Sequence, residues 1–133
     1  MYRILVVDDE RGLVEMLDAI LDGEGYDVAT ASNGLEAIAC IQRGWQPDVV
    51  LLDLQMPVLD GMAVCRWLDL HLAAEERPAV IILSASLFGS VDLPKVAAML
   101  PKPYNLDIML SLVSRFCNAT PHHMLTTALL ATA

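Results

Sequence analysis

Five short apolar stretches alternate along the chain with longer stretches of helical periodicity. The apolar stretches are short and continuous, which is typical of strands buried on both faces of a sheet. They cover residues 2–7, 26–30, 49–52, 79–83 and 99–100. Apolar residues at helical spacing predict helices over residues 11–23, 34–43, 61–72 and 105–117. This alternation predicts parallel βαβ units in a doubly wound α/β sheet with helices on both faces.

The stretch between the fourth and fifth strands departs from this pattern. Gly89 and Pro94 interrupt residues 86–98, and both residue types disfavour a helix interior. We therefore expect the fourth helix in chain order to be short or irregular. Such a segment either packs as an inert loop or leaves an apolar patch for a partner, a second copy of the chain or the apolar tail.

Length, charge and cysteine content narrow the class of protein. A chain of 133 residues suits one domain with one core, and its net charge of −9 argues against this domain binding nucleic acid or an anionic membrane. No apolar run approaches the roughly 20 residues that span a bilayer, and no signal-peptide pattern is present, so we expect a cytoplasmic protein. The three widely spaced cysteines favour reduced thiols. A metal site at Cys117, His122 and His123 matches no zinc spacing and lacks a fourth ligand.

Polar side chains follow four of the five predicted strands. These residues are Asp8 and Asp9 after the first strand, Asp53 after the third, Ser84 after the fourth and Lys102 after the fifth. Right-handed crossovers bring the carboxyl ends of parallel strands to one edge, where open α/β sheets bind ligands. Clustered carboxylates suit Mg²⁺, an ammonium suits an oxyanion, and a hydroxyl donates a hydrogen bond. The combination favours phosphoryl transfer to Asp53, although capping of the first helix by Asp8 or Asp9 is the structural alternative.

In these motifs the chain resembles the receiver domains of two-component response regulators. The matching motifs are Asp8-Asp9, Asp53 before Met56-Pro57 and Asp60-Gly61, Ser84-Ala85, and Lys102-Pro103. The resemblance covers residues 2–117 and implies the flavodoxin-like strand order 2-1-3-4-5. We accordingly expect residues 1–117 to form the receiver domain. Residues 118–133 would be a C-terminal tail that is either disordered or foreign to the natural protein.

The resemblance also implies a mechanism. Asp53 would accept a phosphoryl group from a histidine kinase or a phosphotransfer protein, and the modified domain would switch its binding to an output protein or a second copy. Such a domain catalyses its own phosphorylation and dephosphorylation without being a dedicated enzyme. The resemblance implies that Mg²⁺ is bound by Asp8, Asp9, Asp53 and the backbone carbonyl of Gln55. It implies that Lys102 and Ser84 bind the acyl phosphate. The Lys102–Pro103 peptide bond is expected to be cis.

One residue departs from the family pattern, and three other readings of the sequence compete. Met99 stands three positions before the lysine, where receivers usually carry an aromatic residue, so the usual inward swing of that ring cannot operate. A haloacid-dehalogenase-type phosphatase needs an aspartate where this chain has Gln55. A flavin binder needs a phosphate loop where the acidic residues 8–10 would repel phosphate. A degenerate receiver that binds partners without phosphorylation is the remaining alternative.

Overall fold

The computed structural model describes residues 1–84 and 96–119. The strands are β1 Arg3–Val7, β2 Asp27–Ala31, β3 Val49–Leu52, β4 Ala79–Ser84 and β5 Ala98–Pro101. The α-helices are α1 Arg11–Gly23, α2 Gly34–Gln42, α3 Gly61–His71 and α4 Leu106–Cys117, with a 3₁₀ turn at Ala74–Glu76. The predicted helices and strands in these ranges are therefore confirmed. The predicted irregular segment after β4 and the tail lie mostly outside the described residues.

The five strands form one parallel sheet in the order β2-β1-β3-β4-β5, which confirms the predicted topology. Val7 at the end of β1 is in register with Ala31 on one side and Leu52 on the other. The carboxyl ends of β1 and β3 are therefore level. The backbone N–H of Asp53 donates to the carbonyl of Val7 at 3.0 Å and so continues this alignment beyond the last strand residue. The register places Asp8 and Asp53 side by side at one edge of the sheet.

Alternate residues of each strand belong to two hydrophobic clusters, one on each face of the sheet, because successive side chains of a strand point to opposite faces. Leu5 and Val7 lie in the cluster covered by α2 and α3, whereas Ile4 and Val6 lie in the cluster covered by α1 and α4. The buried helical residues of the two clusters are Ala37, Ile41, Val64, Cys65 and Leu68 in the first, and Leu17, Leu21, Met109, Val113 and Cys117 in the second. Both faces of the sheet are therefore covered by helices, as predicted.

Three of the four described α-helices have an N-cap side chain that accepts a hydrogen bond from the first turn. Asn33 accepts from the backbone N–H of Glu36 at 2.9 Å, Asp60 accepts from Ala63 at 2.9 Å, and Asn105 accepts from Ile108 at 3.1 Å. Helix α1 differs, because Glu10 occupies its N-cap position and makes no side-chain cap hydrogen bond. The alternative in which Asp8 or Asp9 caps α1 is therefore wrong. These two carboxylates are left for another role at the edge of the sheet.

The three cysteines, all in the described part of the chain, form no disulfide. Cys65 and Cys117 are buried in the two hydrophobic clusters, and Cys40 is partly buried. Burial raises the pKa of the Cys65 thiol to about 11 and that of the Cys117 thiol to about 12. These two thiols are protonated packing groups at neutral pH, as the sequence indicated.

Candidate functional site

Three carboxylates converge where β1 and β3 end. Asp8, Asp9 and Asp53 each offer one oxygen, and these oxygens lie within 4.8 Å of one another. The Asp8 and Asp53 residues are buried, with 3% and 7% of their surface exposed, whereas Asp9 is exposed. The Asp8 carboxylate also accepts from the backbone N–H of Glu10 at 2.9 Å, which fixes the start of the β1–α1 loop. The sheet thus brings together the trio that the sequence predicted.

Lys102 reaches this trio from the end of β5. Its Nζ donates to Oδ2 of Asp8 at 2.6 Å and lies 3.8 Å from Oδ2 of Asp53. The Lys102–Pro103 peptide bond is cis, which confirms the expectation drawn from the family resemblance. The backbone N–H of Lys102 donates to the carbonyl of Ser84 at 2.8 Å and ties β5 to β4. The ammonium therefore lies among the carboxylates, and its direct ion pair with Asp8 was not anticipated from the sequence.

Burial, hydrogen bonds and neighbouring charges together shift the pKa values of Asp53 and Lys102 upwards. Burial raises the pKa of Asp53; the hydrogen bond from the Gln55 N–H and the charge of Lys102 oppose this, whereas the charges of Asp8 and Asp9 reinforce it. For Lys102, burial lowers the pKa, but the hydrogen bond and charge of Asp8, together with the charge of Asp53, outweigh it and leave the pKa raised. Lys102 is consequently a permanent cation at neutral pH. Any further cation at the trio would favour the ionised form of Asp53.

Ser84 and Gln55, the remaining predicted site residues, lie at the end of β4 and in the loop after β3. Ser84 is the last residue of β4, is fully buried and is in register with Pro101. Gln55 is exposed in the loop after β3, and its backbone N–H donates to Oδ1 of Asp53 at 3.2 Å. Contacts of the Ser84 hydroxyl and the Gln55 carbonyl with a ligand stay predictions.

The donor set of the trio fits Mg²⁺. Carboxylate oxygens are the hard ligands that this ion prefers, and at about 2.1 Å per bond its opposite ligands lie about 4.2 Å apart. The observed spread of up to 4.8 Å is close to that value. Because the side chain of Asp9 is exposed, a small rotation of this carboxylate would close the difference.

A cleft of about 570 Å³ opens beside the trio, between α1 and the β2–α2 connection. It is lined by Asp8, Asp9, Arg11, Val14, Glu15, Thr30, Ala31, Ser32 and Glu36. The cleft gives solvent and ligands access to Asp8 and Asp9 from the α1 side.

Among the described residues, no helix is both long enough and apolar enough to cross a bilayer.

The loop that follows Asp53 contains a backbone feature that sequence reasoning missed. Val58 has φ 71°, in the left-handed region that a β-branched residue rarely adopts. Gly61, at the end of the loop, approaches the Asp53 carbonyl so closely that a Cβ atom at this position would collide with its oxygen. The turn-forming residues Pro57 and Asp60-Gly61 indicated a loop, but nothing in the sequence indicated a left-handed valine.

Comparison with known proteins identifies the family. A sequence model described as "Response regulator receiver domain" matches residues 4–113. The chain belongs to the response regulator receiver family. As a receiver domain it belongs to two-component signalling, which confirms the resemblance drawn from its motifs.

Two relatives show how much of a longer protein this receiver represents. The DNA-binding response regulator MtrA of Mycobacterium tuberculosis strain H37Rv is 43% identical over 83 residues, which are 62% of this chain and 34% of MtrA. The response regulator MprA of Mycobacterium sp. strain KMS is 36% identical over 116 residues, in a match that covers 82% of this chain and 47% of MprA. The receiver therefore spans only a third to a half of the length of these relatives.

Solved structures similar to this receiver share its fold. The crystal structure of TrrA from Thermotoga maritima in complex with Mg²⁺-BeF is 33% identical, has a TM-score of 0.74, and covers 87% of this chain and 99% of its own. The chemotaxis response regulator CheY4 of Vibrio cholerae is 26% identical, has a TM-score of 0.76, and covers 87% of this chain and 98% of its own. TrrA is thus a related response regulator protein whose structure contains Mg²⁺-BeF.

Proposed function

We propose that Asp53 accepts a phosphoryl group in a Mg²⁺-dependent reaction and that a histidine kinase or phosphotransfer protein is the donor. The observation that supports this proposal is the position of the Asp53 carboxylate, which lies within 4.8 Å of two further carboxylates and 3.8 Å from an ammonium. A nucleophilic carboxylate, a metal-binding set and a cation are the parts that phosphoryl transfer to an aspartate needs.

In the proposed reaction an Oδ atom of Asp53 attacks the phosphorus of a phosphohistidine. The new O–P bond forms as the N–P bond breaks, and the imidazole leaves with the electron pair of that bond and takes a proton from solvent. Lys102 and the Ser84 hydroxyl hold the oxygens of the transferred group. Hydrolysis is the attack of water on the same phosphorus, which breaks the O–P bond and releases phosphate and the Asp53 carboxylate.

Asp8, Asp9, Asp53 and the Gln55 carbonyl are the proposed Mg²⁺ ligands. Bound Mg²⁺ would supply charge neutralisation for the phosphoryl oxygens at a site that already holds three negative charges. Asp53 must be ionised to attack, and burial raises its pKa, so the reaction is expected to slow as the solution is acidified towards that pKa.

The proposed partners beyond the phosphodonor are an output protein or a second copy of the chain. Met99 is partly buried and packs against the cluster under α2 and α3. Signal transmission would then depend on a change at Met99 or in a neighbouring loop, since the usual aromatic ring is replaced. The net charge of −9 gives this domain no electrostatic attraction to DNA, so DNA binding of the kind named for MtrA would depend on other segments.

Intact-mass spectrometry after incubation with acetyl phosphate tests the proposal. The wild-type domain is expected to gain one phosphoryl group with Mg²⁺ and none with EDTA. Asp53→Asn should remain unlabelled, whereas Asp60→Asn should be labelled like the wild type, because asparagine also caps a helix N-terminus. Labelling of Asp53→Asn at the wild-type rate would refute the assignment. Absence of labelling in the wild type, with partner binding retained, would favour the degenerate receiver.

A further inference from the structure

The cleft beside the trio is acidic and contains one basic side chain. Its lining includes the carboxylates of Asp8, Asp9, Glu15 and Glu36, and Arg11 is the one basic residue in this lining among the described residues. The whole chain carries a net charge of −9. A phosphodonor carries an anionic phosphoryl group, so the acidic lining repels the group that the site is proposed to receive. Arg11 is the side chain of this lining that can attract such an anion.

A weak contact holds Arg11 in its present position. Its Nε donates to Oε1 of Glu15 at 3.3 Å, one helical turn further along α1. The two side chains are 91% and 69% exposed, and exposed ion pairs of this spacing contribute little stability. The pair can therefore open at small cost, which leaves the guanidinium available to another anion.

Two other carboxylates of the lining compete weakly for Arg11. Glu36 accepts from the hydroxyl and from the backbone N–H of Ser32, at 2.6 and 2.7 Å, and these hydrogen bonds lower its pKa. Glu36 is thus ionised at neutral pH and already has two donors. Asp9, two positions before Arg11, is neutralised when Mg²⁺ is bound at the trio. Glu15 is therefore the carboxylate that an incoming anion must displace.

The strand order places Asp53 between two cations. Arg11 follows β1 and Lys102 follows β5, whereas Asp53 follows β3, which lies between these strands in the sheet. A phosphoryl group that approaches Asp53 from solvent thus has a basic side chain on either side. The planar guanidinium of arginine can donate two parallel hydrogen bonds to phosphoryl oxygens.

We propose that Arg11 is a donor-binding residue, which exchanges its ion pair with Glu15 for the phosphoryl oxygens of the phosphodonor before transfer to Asp53. This inference rests on the proposed function and names the group that attracts the donor. The ligand chemistry is the phosphoryl anion, whether it is carried by a small acyl phosphate or by a phosphohistidine. After transfer, Lys102 and Ser84 hold these oxygens, and Arg11 returns to Glu15.

The first test measures the second-order rate constant of labelling by acetyl phosphate at saturating MgCl₂, followed by intact-mass spectrometry. Arg11→Gln is expected to lower this constant about three- to tenfold at about 0.1 M salt. The loss should fall below about twofold at about 1 M salt, where screening is strong. Arg11→Lys keeps the charge without the fork and should lie between the two. Phosphoramidate, whose N–P bond resembles that of a phosphohistidine, should show the same loss.

Two controls separate donor binding from other effects of the substitution. Arg115→Gln removes the same charge from the last turn of α4, which lies by the start of β1, because Asn118 there accepts from the Tyr2 hydroxyl at 2.7 Å. It should change the labelling constant by less than about twofold. Hydrolysis of phosphorylated Asp53 should keep its wild-type rate in Arg11→Gln, because the attacking water is uncharged. A purely structural role for Arg11 would change labelling and hydrolysis together.

The second test measures binding without transfer. Acetonylphosphonate carries CH₂ in place of the bridging oxygen of acetyl phosphate, so its phosphoryl group cannot be transferred. Calorimetric titration in MgCl₂ is expected to show about three- to tenfold weaker binding to Arg11→Gln than to the wild type or to Arg115→Gln.

Several results would overturn the inference. Unchanged labelling by Arg11→Gln, an equal loss in Arg115→Gln, a parallel change in hydrolysis, or a loss confined to acetyl phosphate would each remove Arg11 from phosphoryl binding. The proposed function fails separately: a wild-type domain that binds acetonylphosphonate but is never labelled refutes phosphorylation. In that case weaker binding of acetonylphosphonate to Arg11→Gln would still support the role of Arg11, and equal binding would refute it.

Discussion

Replacing Asp53 with asparagine is expected to stabilise the fold in the absence of Mg²⁺. The substitution keeps the shape of the side chain and removes one of three clustered negative charges. At an effective dielectric constant of about 20, two charges at the 4.8 Å limit of the trio repel by about 3.5 kcal/mol, so two such pairs repel Asp53 by about 7 kcal/mol in total. On the same scale its attraction to Lys102 at 3.8 Å is about 4.4 kcal/mol.

The difference leaves about 2.6 kcal/mol of net repulsion, which salt and the exposure of Asp9 reduce to an expected gain of about 1–2 kcal/mol. For a domain of this size, that gain corresponds to a rise in Tm of about 4–8 °C. Thermal unfolding followed by circular dichroism in EDTA at pH 7 measures it. Asp60→Asn, outside the cluster and still able to cap α3, should leave the Tm within about 2 °C of the wild type.

At acidic pH the stability gained by Asp53→Asn over the wild type should disappear. Because the pKa of Asp53 is raised from 3.8 in the folded state, the folded protein binds its proton more tightly than the unfolded chain does. Wild-type stability contributed by this group is therefore fully present below pH 3.8 and is lost as the pH rises through the raised pKa. The two proteins should have similar Tm values below pH 3.8 and should diverge above it. Equal or lower stability of the variant at pH 7 would refute the repulsion argument.

Three further predictions concern single side chains. Asp9→Ala should weaken Mg²⁺ binding about tenfold or more in a calorimetric titration and keep or raise the Tm in EDTA; a large stability loss with unchanged affinity would contradict the ligand role. Met109→Ala should cost about 2–5 kcal/mol in urea unfolding, since Met109 is fully buried; a cost under 1 kcal/mol would show a site that collapses. Tyr104→Phe should raise urea stability by about 1 kcal/mol, because its hydroxyl is buried without a hydrogen-bond partner among the described residues; a loss of stability would reveal an unidentified partner.

The fold could be predicted from the sequence because its strands are buried on both faces and its helices on one. All four residues of β3 are buried, so the strand has the continuous apolar pattern of a central parallel strand. The errors lie at element ends, where hydrogen bonds decide the boundary. The apolar pattern predicts that Tyr26 belongs to β2, but its N–H donates to the Leu21 carbonyl and closes α1 instead. Pro101 extends β5, as an edge strand tolerates a residue without an N–H.

The sequence predicts only those parts of the site whose residues directly follow a strand. The sequence positions of Asp8, Asp9 and Asp53 sufficed, because parallel strands bring their carboxyl ends together. The ion pair between Lys102 and Asp8 could not be predicted, since it depends on where a flexible side chain finds its nearest charge. The left-handed Val58 lies in a loop held by contacts of Leu59 with Gly34 and of Gly61 with Leu54, and the sequence pattern indicates neither contact.

The central position of β3 also determines how the domain opens. This strand is hydrogen-bonded to β1 and β4 on its two sides, and every one of its residues is buried. Its amides should therefore exchange with deuterium only through global unfolding, whereas the loop after it should exchange through smaller local openings. Asp53 lies at the boundary between the slowly exchanging strand and the loop, and its N–H donates a hydrogen bond to the Val7 carbonyl. Changes in loop opening can therefore alter the reactivity of this carboxylate without moving the residue that carries it.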